Sequence, residues 1–192
     1  MYKLNNKIII VISLILLVLM FVGAYTSGLF SSNKSNSINY NAPSADWVDH
    51  YFSIEDLINN SDLVIVGKVE DSIPQQRVNL IFTRQVIKIQ KYLKGSSVLN
   101  DTIEVLQTGG TLNGITTQEI DDAPLFKIKD HLVLFLKKTD EGHYLVLGGY
   151  QGKGKIENNK IKVDESTIED KVVKELKDKS IDEIEELVKK SK

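Results

Sequence analysis

The sequence predicts a mainly β domain with flanking helices, carried behind a single N-terminal transmembrane or signal helix. Three observations lead there. Runs rich in Val, Ile and Thr recur between Asp62 and Val163, divided by Gly, Asn, Asp and Pro, which is how strands and their turns read in sequence. From Ile168 to Val188 the apolar residues instead return at helical spacing. Ile8 to Ala24 is an apolar run without a charge, with Lys3 and Lys7 in front of it.

The N-terminal run supports two outcomes. Its 17 residues reach just across a hydrocarbon core of about 30 Å at about 1.5 Å per residue. Val22-Gly23-Ala24 also offers the small-residue site at which a signal peptide is cut. Cleavage after Ala24 would secrete residues 25–192, and retention would leave a signal-anchor helix that meets the membrane through residues 8–24. Lys3 and Lys7 favour an inside N-terminus, so the remainder is expected outside the membrane in both cases. Residues 25–45 are mostly Ser, Asn and other small polar types, as in Ser31-Ser32-Asn33-Lys34-Ser35-Asn36-Ser37, and read as a flexible tether.

The folded part is expected over 46–165, followed by a helical segment over 166–192. Ser53 with Asp56 reads as a helix start over Ile54 to Asn59, with Phe52 positioned to staple onto Leu57. Trp47 and Tyr51 are expected to cover the bottom of the domain. Asp62 to Glu70 is a strand, with Pro74 marking its end. Asn79 to Leu93 is a second, long strand, and its alternation slips before Tyr92, which predicts a bulge. Thr102 to Gln107 alternates cleanly and predicts a strand with one wet side. Thr111 to Lys129 reads mainly as loop, with one short strand around Ile115 to Ile120.

Leu132 to Leu136 is apolar at every position, which predicts a central strand covered on both faces. Tyr144 to Leu147 returns beside it across Asp140-Glu141-Gly142. A smaller hairpin joins Lys155–Glu157 to Lys160–Val163 through Asn158-Asn159, a residue type that tolerates positive φ. Ile168, Val172, Val173 and Leu176 then share one helical face, and Ile181, Ile184, Leu187 and Val188 another, with Ser180 and Glu183 as a capping box between them.

Composition narrows the function. Roughly 140 residues beyond the N-terminal segments suit one core. The chain carries −2, and without Lys3 and Lys7 the remainder carries −4, which argues against nucleic acid as the partner. There is no cysteine, hence no disulfide framework, thiol nucleophile, cysteine metal site or lipidation at a cysteine. A disulfide-free exported domain fits a bacterial envelope.

Asp62 to Val69, the strand Ile87 to Leu93 ending in Lys94-Gly95, His131 to Leu136, and Gly148-Gly149-Tyr150-Gln151-Gly152 together resemble a group of exported bacterial domains. More distantly, the succession is similar to the inhibitory domain of tissue inhibitors of metalloproteinases and to netrin-like modules. The resemblance spans about Ser53 to Ile156 and implies a five-stranded OB-like (netrin/TIMP-like) barrel, with an extra C-terminal hairpin and helices packed outside. Those inhibitors chelate a protease zinc through an N-terminal cysteine and cross-link their barrels with disulfides. This chain lacks every cysteine, so no functional residue carries over.

No residue pattern specifies catalysis, a cofactor or a metal. His131 and His143 fall about 20 Å apart if His143 pairs near Lys137, too far to share an ion. Asp121 and Asp122, with Glu119, could approach a cation, but the spaced acidic series of a calcium loop is missing and a solvated acidic turn explains them. Gly109 to Gly114 is glycine-rich without a helix start behind it, which is turn chemistry and no phosphate cradle. The tail from Asp164 carries 10 acidic and 7 basic residues around its apolar stripe, so it reads first as a covering helix and second as a docking helix. The expectation is a non-catalytic binding or accessory module for an unknown protein or envelope polymer. Two alternatives stand beside it: an envelope partner that acts through its terminal helices, and a hydrolase.

Overall fold

Strand follows strand because the β-branched runs have no other way to bury alternate faces, and the computed structural model, which describes residues 38–40, 49–120 and 123–191, is mainly β with a few short helices. The N-terminal apolar run, most of the tether, Trp47, Asp121 and Asp122 lie outside the described residues. Within the stretch read as a tether, Ile38–Tyr40 forms a strand, β1. It is followed by α1 (Ile54–Asn60), β2 (Leu63–Arg77), β3 (Leu80–Lys94), β4 (Thr102–Thr108), β5 (Gly110–Leu112) and β6 (Ile115–Thr117). Then come β7 (His131–Lys138), β8 (Tyr144–Val146), β9 (Lys153–Glu157), β10 (Lys160–Lys162), α2 (Lys171–Leu176) and α3 (Ile181–Lys190).

The main sheet runs β10-β9-β7-β2-β3-β4-β8, and β8 pairs a second time with β7. The pairings therefore return on themselves through five strands, β7-β2-β3-β4-β8. One edge of β7 is divided. Leu132 to Leu134 pair with β9, whereas Leu136 to Lys138 pair with β8, so the β9–β10 hairpin leaves the ring as a separate flap. Its turn uses Asn158 and Asn159 at φ 51° and 61°, as the sequence predicts. The outer edge of β10 is paired rather than open: Ile161 N–H donates to the Lys179 carbonyl and the Ile161 carbonyl accepts from Asp178 N–H, both at 2.8 Å.

β7 is covered on both sides. Leu132, Leu134 and Leu136 face the ring interior with Leu63, Ile65, Ile87, Ile103 and Phe126. Val133 and Phe135 face the other way, into a layer built from Ile54, Leu57 and Ile58 of α1 and Val172, Leu176, Ile184 and Val188 of α2 and α3. Two register shifts in the β2–β3 ladder rephase β3: Gln90 and Leu93 are each passed over, so that Tyr92 packs toward the interior and Leu93 toward the helices.

Three expectations are corrected. β2 does not end at Pro74 but continues to Arg77, because beyond Lys68 it has no β7 partner and a proline on an open edge sacrifices no ladder bond. The segment from Thr111 has its expected short strand, at Ile115–Thr117, but Gly110–Leu112 is a strand too, and the two form a hairpin around Asn113-Gly114, whose φ values are both positive. Ser53 caps α1 as predicted, accepting from Asp56 N–H at 3.0 Å, but Phe52 is 71% exposed and makes no staple. Tyr51 is the aromatic that enters the helix-covered core. The Ser180–Glu183 capping box forms.

Candidate binding groove

The quoted sequence motifs fold into locks on the helix-covered face. Lys94, at the end of β3, donates to the carbonyls of Ile58 (2.7 Å), Asn59 (3.1 Å) and Ser61 (2.8 Å) at the C-terminus of α1. A cation there satisfies carbonyls the helix leaves unpaired, and burial holds this ammonium below its ordinary pKa. Gly95 follows at φ +94°, where a Cβ would lie 2.8 Å from the Asp62 carbonyl. Gln151 is fully buried and works as a clamp: its Oε1 accepts from Tyr51 N–H, and its Nε2 donates both to the Tyr51 carbonyl and to Asp170 Oδ2, all at 2.9 Å. Asp170 in turn caps α2 through Val172 and Val173 N–H. Gly148, at φ +56°, leaves the space in which the Gln151 amide lies; a Cβ there would meet Oε1 at 2.5 Å.

Around β8 the ring is less completely covered. β8 has three residues and pairs with β4 in register at one position, Val105 with Tyr144. Beside it lies a groove of about 310 Å³ with a floor of Leu106, Ile120, Ala123, Leu145 and Leu147, and with Asp49, Gln107, Lys137 and Lys153 among its polar lining. Gln107, at the end of β4, fixes the overhanging loop: its Oε1 accepts from Phe126 N–H at 3.0 Å and its Nε2 donates to the Pro124 carbonyl at 3.2 Å. Ile120 pairs with Ala123 across the two intervening residues. Leu145 is 43% exposed on this side. Lys137 is held by Asp62 at 3.0 Å, and the Asp62 carboxyl also accepts from Lys138 N–H, which lowers its pKa.

Two further cavities differ in chemistry. One of about 430 Å³ lies between the β9–β10 flap and residues 124–130. It is lined by Lys127, Lys153, Lys155 and Lys162 together with Asp130, Glu157 and Asp164, and Lys155 pairs with Asp130 at 3.0 Å. The other, about 390 Å³, holds Glu104 and His143. Glu104 bridges Arg84 Nη1 (2.7 Å) and His143 Nδ1 (3.2 Å), which ties the β7–β8 turn to β3. Among the described residues no hydroxyl bonds to the His143 ring, and Thr102 donates instead to the Asn100 carbonyl. The carboxylate and the imidazole together orient this turn.

The histidines remain apart. His50 lies 3.6 Å from Asp170, His131 begins β7 opposite Lys68, and His143 meets Glu104. The β7–β8 register pairs Lys138 with Tyr144, so His143 faces Thr139 rather than Lys137, two positions from the expected pairing and farther still from His131. Among the described residues no group of three or more His, Asp or Glu could hold a metal ion. Glu119, the third member of the acidic turn, is used locally, accepting from Leu125 N–H at 2.9 Å. No protein-family model matches the chain, and no curated protein matches it.

The groove is what sequence reasoning missed. Leu106, Ile120 and Leu145 come from three segments that meet only when the ring forms, and none stands out in its own window. Leu145 alone carries a trace: it is an apolar residue on the outward side of a strand whose inward neighbours already fill the core.

Proposed function

We propose that this chain is a non-catalytic binding module displayed outside a membrane, and that the groove beside β8 takes an apolar segment of a protein or envelope polymer. The observation that carries the reading is the apolar floor left open there, with polar groups confined to its margin, the usual composition of a ligand-binding cleft. The proposed architecture is an OB-like barrel of the netrin/TIMP-like kind. Support for it comes from the five-strand circuit of pairings, β7-β2-β3-β4-β8, with helices packed outside β7. Lys3, Lys7 and the apolar run 8–24 support membrane attachment, or secretion after cleavage at Ala24.

The terminal helices are the weaker candidate surface. Val172, Val173, Leu176, Ile181, Ile184 and Val188 are all buried in the chain's own core, so the apolar stripe that would dock a partner is already occupied.

Photo-crosslinking separates the two surfaces. A photo-reactive residue at Leu145 of the full-length protein on intact cells should give discrete adducts, while one at Glu186, on the exposed side of α3, should give none. Adducts at Glu186 instead would move the binding surface to the helices. Leu145→Ser should leave stability within about 0.5 kcal/mol, as for surface sites, so a loss of capture in that variant reports on binding rather than folding.

A further inference from the structure

We propose that the outer edge of β6 is a strand-addition site that accepts Ile38–Tyr40 from a second copy of this chain as well as from its own. β6 lies between β5 and β1, and β1 joins it in parallel with Ile38 opposite Ile115, Asn39 opposite Thr116 and Tyr40 opposite Thr117. The acceptor is held by contacts that do not involve β1. Asn113 and Gly114 close a two-residue turn, and Thr117, fully buried, accepts the Ile81 N–H at 2.7 Å through its hydroxyl. Gly109 N–H donates to the Ile81 carbonyl at 3.0 Å, so both ends of the hairpin are fixed to β3. Without β1, residues 115–117 would present the bare edge that pairs with added strands.

The occupant is a different kind of element. β1 is three residues long, its pairing is parallel, and it lies in a Ser- and Asn-rich stretch that precedes the rest of the sheet. Parallel ladders are slightly weaker per residue than antiparallel ones, and so short a ladder leaves the exchange of one strand for an identical one cheap. Every copy of the chain carries Ile38–Tyr40, the sequence seen to match this edge. Own and exchanged strands make the same backbone pairing, so their balance is set by linker geometry and local concentration. The inference stands on the strand pairing. Attachment through residues 8–24, part of the function proposed above, would raise the local concentration, but the groove beside β8 plays no part in it.

The absence of cysteine makes the test clean. Asn39→Cys and Thr116→Cys are register partners on adjacent strands, about 4.8 Å apart and within disulfide reach. Two differently tagged full-length copies, each with one of these substitutions, should form a covalent heterodimer on mild oxidation. Thr111→Cys, one strand farther away on β5, should not couple to Asn39→Cys. Closure of the double variant within a single chain, with no heterodimer between single variants, would overturn the exchange. Equal coupling through Thr111→Cys would overturn it too, as random collision, and so would the absence of any disulfide at the Asn39–Thr116 pair. Adducts at Leu145 would be unaffected by these outcomes, so the groove and the strand edge fail or stand separately.

Discussion

The two sides of the β-ring are closed by different means. On the helix side, α1, α2 and α3 press Leu57, Leu176 and Ile184 onto Val133 and Phe135, and the polar seams are sealed by Lys94 and Gln151. On the β8 side, a three-residue strand and a loop held by Gln107 do the closing, and Leu145 stays partly in water. The first arrangement satisfies buried backbone groups with side chains and excludes water. The second leaves Leu145 partly exposed at an open groove. The two closures meet at Leu147, which belongs both to the helix-covered core and to the groove floor.

The harshest way to break this comparison is through β7, the strand both sides share. Leu134 points into the ring and Phe135 into the helix layer, and both are fully buried. Leu134→Ala should cost about 2 to 5 kcal/mol and Phe135→Ala about 3 to 5 kcal/mol in urea unfolding. Lys138→Ala, at the exposed end of the same strand, should cost less than about 0.5 kcal/mol. A mild Phe135→Ala would mean that the helices rest loosely on the sheet, and the contrast between the two sides would disappear.

The next effect is smaller and compares two glutamines. Gln151→Ala would strand the N–H and carbonyl of Tyr51 in a dry layer, at about 1 to 3 kcal/mol. Gln107→Ala removes two bonds to a part-exposed loop and should cost about 0.5 to 1.5 kcal/mol. Equal losses would show that the β8 side is sealed as tightly as the helix side. Deeper loss at Gln107 would invert the assignment.

Much of this arrangement is legible in the sequence where a period or a local rule governs. The uninterrupted apolar run at Leu132–Leu136 announces a strand covered twice, Ser180 and Glu183 announce a helix start, and Asn158-Asn159 announces a tight turn; each rule involves neighbours within a few residues. Pro74 misleads because its cost depends on whether a third strand lies alongside, which no local window contains. Phe52 misleads in the same manner: the staple rule chooses it, yet Gln151, 100 residues away, draws Tyr51 inward instead. The groove is least legible, since its floor joins residues from β4, the loop before β7 and the segment around β8 without any shared period.

The smallest effect sharpens the comparison through pH. Several carboxylates held below their ordinary pKa belong to the helix side: Glu183 by the Ser180 N–H and hydroxyl, Asp178 by Lys162, and Glu185 by Lys91 and Lys189. A carboxylate whose folded pKa is depressed contributes stability that is complete above its unfolded value, about 3.9 for Asp and 4.3 for Glu, and that is lost as pH falls through the lower folded value. Acidification from neutral pH to about pH 3 should therefore lower the urea midpoint chiefly below pH 4.3, with the helical circular dichroism falling before the strand signal. These groups are exposed, so the slope should be shallow. Glu183→Gln keeps an oxygen to accept from Ser180 N–H but removes the titrating charge, and it should flatten part of that slope while barely altering stability at neutral pH. If the acid fall were identical in the variant, the α3 cap would contribute nothing to it. If strand and helix signals fell together, the helices would share the fate of the ring, and the division of labour between its two sides would have no expression in unfolding.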